Sequence, residues 1–195
     1  MRSEEFDCRQ AGYRMPAEWE PMSATWLGWP VFKDREQLWG THYQQVCEAF
    51  ALVARTVARY QLCIVAAHAP LVAHAKALCG PSVDVVGFAV EDNWLRDCGS
   101  IFLVNDALKT QLAARFVFNA WGNKYAPYDG CASFAKDMAV FSNVSCVEST
   151  MVLEGGSFFV DGQGTLITTE SCLLNPNRNP NLTRREIENE LQRML

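Results

Sequence analysis

Along the chain, apolar positions cluster in short runs whose spacing alternates between that of strands and that of helices. Thr25–Pro30 reads as a strand closed by proline. Over residues 34–60 a first helix is predicted, with Val46, Phe50, Val53 and Val57 at i, i+4, i+7 and i+11 forming one apolar stripe. Residues 61–66 follow as a buried strand, residues 70–78 as a short helix with Pro70 in its first turn and Gly80-Pro81 behind it, and residues 83–90 as another strand.

The second half continues the alternation. Ile101–Val104 and residues 111–118 are strands joined by a turn at Asn105-Asp106, residues 133–141 a helix carried on Phe134, Met138 and Phe141, and residues 145–149 a strand. Asp161-Gly162-Gln163-Gly164 separates Phe158–Val160 from residues 165–169 and signals a hairpin. Thr183 followed by Glu186 has the form of a capping box ahead of a helix whose stripe, Ile187, Leu191 and Leu195, runs to the last residue, so that this helix reads as cut rather than finished. Strand, strand, helix, strand recurs at least twice, which is an α/β layout. Residues 1–14 read as an N-terminal tail, and residues 15–195 as the portion that folds.

Composition narrows the class without naming it. The 195 residues are 49% hydrophobic and 20% charged, as in an ordinary water-soluble domain. A net charge of −5 without a block of like charge gives no footprint for nucleic acid or an anionic membrane, and no apolar run reaches the length of a membrane span. A small cationic ligand suits the sign. Eight scattered cysteines without a C-x-x-C pair, and no histidines at zinc spacing, fit reduced thiols in a cytoplasmic protein and suggest no metal.

Against this background Glu91–Ser100 stands out, with three carboxylates, a guanidinium, an indole and a thiol in ten residues flanked by apolar runs. A carboxylate so placed either pairs with a neighbouring cation, as Asp97 could with Arg96, or meets a cationic ligand at a strand end. Cys98 beside Asp97 is disfavoured as a nucleophile, because an adjacent carboxylate opposes the thiolate. Glu18 and Glu20 either face a pocket or cap it, and His68 and His74 read as surface or helix-flanking residues.

Several motifs occur in one order: Met15-Pro16-Ala17-Glu18-Trp19-Glu20-Pro21, Trp94-Leu95-Arg96-Asp97, Phe118-Asn119-Ala120-Trp121-Gly122 with Lys124-Tyr125, Leu153-Glu154-Gly155-Gly156-Ser157, and Leu173–Pro180 with its Asn175-Pro176-Asn177-Arg178-Asn179-Pro180. Together they resemble the agmatine deiminase family, relatives of the bacterial peptidyl-arginine deiminases, from about Met15 to Leu195. The resemblance implies part of a five-bladed α/β propeller of the pentein type, built of ββαβ units. It also implies hydrolysis of agmatine to N-carbamoylputrescine and ammonia in putrescine and polyamine biosynthesis, without a cofactor.

In that chemistry a cysteine thiolate attacks the guanidinium carbon, a histidine moves protons, and two carboxylates hold the guanidinium. By motif match those carboxylates, the catalytic residues carried over here, are Asp97 and Glu154. Trp94 would wall the pocket and stack on the cation, and the glycines after Glu154, Gly155 first, would let backbone approach the substrate. A planar guanidinium donates two parallel hydrogen bonds to a carboxylate, so two acceptors fix its carbon for attack.

The family's catalytic histidine, in an H-x-D motif, and its late glycine-rich cysteine segment have no match in this sequence. His42, His68 and His74 all precede the carboxylates. Other departures are Met22 where the family commonly has histidine, Gly99-Ser100 in place of Gly-Pro, and Pro127–Ser133 in place of an acidic run. The expectation is a truncated or split agmatine deiminase-like hydrolase, inactive alone, which homo-oligomerises or meets a missing C-terminal half. The alternatives are a non-catalytic guanidinium-binding relative and a peptidyl-arginine deiminase-like enzyme.

Overall fold

The computed structural model describes residues 6–31 and 39–195, which form two compact units. One comprises residues 21–95. Strands β1 (Ala24–Gly28), β2 (Leu62–His68) and β3 (Asp84–Phe88) form its sheet in the order β1-β2-β3, every pair parallel. Parallel strands need crossovers, and helices Tyr43–Val57 and Val72–Cys79 supply them. The central strand β2 runs buried from Cys63 to Ala67, as a strand covered on both faces should.

The helix Tyr43–Val57 turns a different face inward from the one its large side chains predict. Cys47, Ala51 and Ala54 are its buried residues, whereas Val53 is 52% exposed and Phe50 and Val57 sit at the edge of the core. Small residues win the inner face because the helix lies close on a sheet of small side chains, Cys63, Val65 and Ala67. The start assigned to this helix, residues 34–38, lies outside the described residues.

The other unit comprises residues 1–20 and 96–195. Its main sheet has the order β4-β5-β6, from β4 (Ile101–Asn105), β5 (Thr110–Val117) and β6 (Ser145–Val152). The pair β4-β5 is antiparallel and β5-β6 parallel, with helix Asp129–Phe141 as the crossover. This is one strand-strand-helix-strand unit, and its last strand runs to Val152 where the sequence suggested an end at Ser149, with a register shift against β5 between Arg115 and Val117. A second set begins the same way: β7 (Phe158–Val160) and β8 (Leu166–Thr168) form an antiparallel hairpin, and helix Arg184–Met194 follows. Asp161 closes the hairpin by accepting from the backbone N–H groups of Gln163 and Thr165 at 2.7 and 2.9 Å. The Thr183–Glu186 capping box is present in both directions.

Residues 6–14 are part of the fold, not a tail. Cys8 is fully buried, its N–H donates to the Arg193 carbonyl at 2.9 Å, and Arg14 bridges Val104 through backbone hydrogen bonds in both directions. A short chain with one cysteine and few apolar residues gives little periodic signal, so its packing against the helix Arg184–Met194 is not legible from pattern. No helix among the described residues is long and apolar enough to cross a membrane.

Candidate functional site

The unit of residues 1–20 and 96–195 brings Asp97 and Glu154 into one neighbourhood. Asp97 lies in the single helical turn Leu95–Cys98, and Glu154 stands where β6 has ended and a 3-10 turn, Gly155–Ser157, begins. That turn carries the connection: Gly156 N–H donates to Asp97 Oδ1 at 3.0 Å. Ser157 fastens the turn back on Glu154, donating from its N–H and its hydroxyl to the Glu154 carbonyl at 2.9 and 2.6 Å.

The two glycines are required here by protein, not by ligand. A Cβ on Gly155 would stand 2.3 Å from the Arg96 carbonyl oxygen, and one on Gly156 would stand 2.4 Å from Asp97 Oδ1. Both lie far inside contact distance, so only glycine lets the turn after Glu154 lie on the turn that holds Asp97.

The second oxygen of Asp97 accepts from the indole of Trp121, Nε1 to Oδ2 at 3.1 Å. Trp121 belongs to a stretch of unusual backbone. Ala120, Trp121, Gly122 and Asn123 all have positive φ, at 50°, 57°, 87° and 57°, which makes one turn of left-handed helix closed by Asn123 N–H to Asn119 O and Lys124 N–H to Ala120 O. For a residue with a Cβ this conformation costs about 1–2 kcal/mol, and three of the four have one. Compensation is visible around it. Asn119 Oδ1 accepts from Gly122 N–H at 2.9 Å and its amide donates to the Asn177 carbonyl at 2.9 Å, while Trp121 packs edge-on against Phe118 and Tyr125.

Glu154 is held differently. It is buried, and Arg178 donates to it from Nε at 2.6 Å, the two side chains being 4% and 9% exposed. Arg178 in turn reaches Asn177 Oδ1 through Nη1 at 2.8 Å. One step further along the chain, Asn179 clamps the strand that presents Glu154: its amide accepts from Val152 N–H at 2.9 Å and donates to Val152 O at 3.0 Å. Cys172 lies with Sγ 3.8 Å from the other oxygen of Glu154, and burial together with that carboxylate pushes its thiol pKa up.

Other residues singled out from sequence fall outside this cluster or take structural parts. Arg96 pairs with Glu18 at 2.6 Å and not with its neighbour Asp97, both partners being largely exposed. Glu20 is the anchor of the N-terminal segment: it binds Arg14 at 2.7 and 2.9 Å and the Ala17 N–H at 2.8 Å, which holds its carboxyl down at about pH 2. Cys98 is buried. Trp94 is 56% exposed and belongs to the unit of residues 21–95, as do His42, His68 and His74; His74 packs edge-on against Trp29. Sequence reasoning passed over Trp121 and Arg178 as site residues. The signal available for both was the polar, glycine-containing motif in which each stands, since a left-handed turn and a 24-residue ion pair leave no periodicity.

Chemically, the cluster offers two carboxylates at adjacent turns, one buried and charge-paired, one half-buried and held by neutral N–H donors. The charge of Glu154 is met by Arg178, whereas the donors to Asp97 are neutral, so Asp97 is the carboxylate whose charge is left for a cation.

Comparison with known proteins agrees with the motif reading. The family model for Porphyromonas-type peptidyl-arginine deiminase matches residues 14–195. The chain is 42% identical to agmatine deiminase of Stutzerimonas stutzeri over 197 aligned positions, which cover 96% of this chain and 51% of that protein, and 40% identical to agmatine deiminase of Pseudomonas syringae, covering 92% and 50%. Among solved structures, agmatine deiminase of Enterococcus faecalis superposes with a TM-score of 0.91 at 35% identity, covering 97% of this chain and 52% of that one. The chain spans about half the length of the curated relatives it matches, and it belongs to the Porphyromonas-type peptidyl-arginine deiminase family.

Proposed function

We propose that residues 15–195 form the guanidinium-binding half of an agmatine deiminase-type hydrolase, with Asp97 and Glu154 as the paired acceptors for the guanidinium of agmatine. The observation that supports this reading is the Gly155–Ser157 turn, which follows Glu154 directly and whose Gly156 N–H donates to Asp97. Gly155 contributes by letting backbone lie against backbone, so that Glu154 is delivered beside Asp97.

The half-site has recognition without a nucleophile. Cys98 is buried, and the Cys172 thiol is pushed up by burial and by Glu154, the reverse of what forms a thiolate at neutral pH. Agmatine is therefore expected to bind to the purified 195-residue chain without release of ammonia, and Asp97→Asn to weaken binding about tenfold or more, the scale of one charge-assisted hydrogen bond. Ammonia release from the chain alone, abolished by Asp97→Ala, would overturn the half-site reading.

For the architecture we propose an incomplete five-bladed propeller of ββαβ units. Support comes from the complete β4-β5-helix-β6 unit and from the hairpin β7-β8 with its helix, a set of three elements whose sheet has two strands. On that hairpin Phe159 and Ile167 are cross-strand partners and are 61% and 71% exposed. An exposed apolar pair on a two-stranded sheet is a pairing hazard, so the chain should self-associate or bind a complementary half. A monodisperse monomer with one cooperative unfolding transition would contradict this.

A further inference from the structure

We infer that the left-handed turn 120–123 is a positioning device: it aims the Trp121 indole N–H at Asp97 Oδ2 and, through Asn119, Asn177 and Arg178, ties the orientation of Asp97 to that of Glu154. This rests on the reading of the two carboxylates as guanidinium acceptors, and it names residues that the reading itself does not use.

The argument begins with a cost. Ala120, Trp121 and Asn123 hold a backbone conformation that side-chain-bearing residues avoid, and they hold it consecutively. A fold keeps strain of this kind only where the surroundings over-determine it, and such places are enriched at functional sites. What the strained turn delivers is one directed donor. Trp121 Nε1 meets Asp97 Oδ2 at 3.1 Å while Gly156 N–H meets Oδ1 at 3.0 Å, so each oxygen of Asp97 receives a fixed neutral donor and the carboxylate plane is set. A neutral donor orients the group without cancelling its charge, which leaves the charge for a cation.

The second half of the argument is the tie to Glu154. Gly122 has no side chain, and a Cβ there would fall 2.4 Å from Asn177 Nδ2 and 2.7 Å from Arg178 Nη1. Asn177 and Arg178 thus pack directly over the strained turn. Asn119 fixes that packing from below, one side chain accepting from Gly122 N–H and donating to Asn177 O. Arg178 then leaves Asn177 Oδ1 and reaches Glu154 Oε1. Each carboxylate is consequently oriented by a group seated on the same turn, and a change in the turn reaches both.

The test uses hydrogen exchange of the Trp121 indole N–H, read by NMR in the 195-residue chain, together with agmatine titrations. Trp121→Phe removes the donor and keeps a smaller aromatic ring beside Phe118 and Tyr125. It is expected to weaken agmatine binding by about tenfold, whereas an unaltered affinity would overturn the inference. Asn119→Ala touches neither carboxylate. The expected result is indole exchange faster by about tenfold, matching the acceleration in Asp97→Ala, because the turn no longer holds the donor on its acceptor. Exchange as slow in Asn119→Ala as in the wild type overturns the tie through Asn119, and an unprotected indole in the wild type overturns the positioning. If the wild type does not bind agmatine, the guanidinium reading fails, and the exchange rates alone decide whether the turn positions Asp97.

Discussion

The two units of this chain solve the same packing problem with different materials. The unit of residues 21–95 has a parallel sheet and two crossover helices around an apolar cluster of Cys, Ala and Val with Trp29 among them, and Asp92 is buried elsewhere in the unit. The unit of residues 1–20 and 96–195 has an equally apolar core built on larger side chains, Leu103, Met151, Phe158 and Met194 among them, yet beside it stand a buried ion pair and a strained turn. A core needs neither. The difference is a buried ion pair and a run of left-handed backbone that converge on Glu154 and Asp97, which is where we place the proposed chemistry.

The comparison is broken most sharply at Arg178. Removing it by Arg178→Ala leaves Glu154 buried and unpaired, and should destabilise by about 3–5 kcal/mol. Val65→Ala in the apolar unit, by loss of buried methyl groups alone, should cost about 1.5 kcal/mol, and chemical denaturation of the two variants side by side measures the contrast. The double substitution Glu154→Leu with Arg178→Met sharpens the point. Replacing a buried pair by apolar side chains of similar size is often neutral for stability, so this variant should recover most of the lost stability while agmatine binding stays lost. Binding and stability would then be separated in one protein.

Next in size is the glycine pair. Gly156→Ala places a Cβ on the Asp97 carboxylate oxygen and should cost about 1–3 kcal/mol while loosening agmatine binding, whereas Gly80→Ala, whose Cβ meets no atom within 4 Å, should show only the backbone strain of a positive φ. Thermal melts of both variants check this.

The smallest effect expected is at Glu20. Its pKa is about 2 in the folded chain against 4.5 for the free side chain, because Arg14 and the Ala17 N–H favour the carboxylate. A depressed pKa means the stabilisation is complete above pH 4.5 and disappears as pH falls through 2. Solvent screening keeps the amount small. Glu20→Gln should therefore remove stability at pH 7 and little of it near pH 2, measured as the difference in denaturation midpoint at the two values.

Much of this was legible in the sequence for stated reasons. The hairpin at Asp161–Gly164, the capping box at Thr183 and the buried strand of β2 each carry a local signature, and each forms. The helix Tyr43–Val57 was legible as a helix, though its inner face was not, since alanine and cysteine pack tightly but weigh little in an apolar stripe. Asp97 and Glu154 were assigned by motif. Their partners were not, because Trp121 acts through backbone torsions that no residue pattern prescribes for Ala, Trp and Asn, and Arg178 reaches Glu154 across a loop that has no period.

The central claim is that Asp97 and Glu154 read a guanidinium, and the most direct measurement is calorimetric titration of the wild type, Asp97→Asn and Glu154→Gln with agmatine and with putrescine, which keeps the amine and lacks the guanidinium. The account predicts that the wild type prefers agmatine and that each substitution erases the preference. Equal affinity of the wild type for the two ligands, or a preference that survives both substitutions, would contradict it.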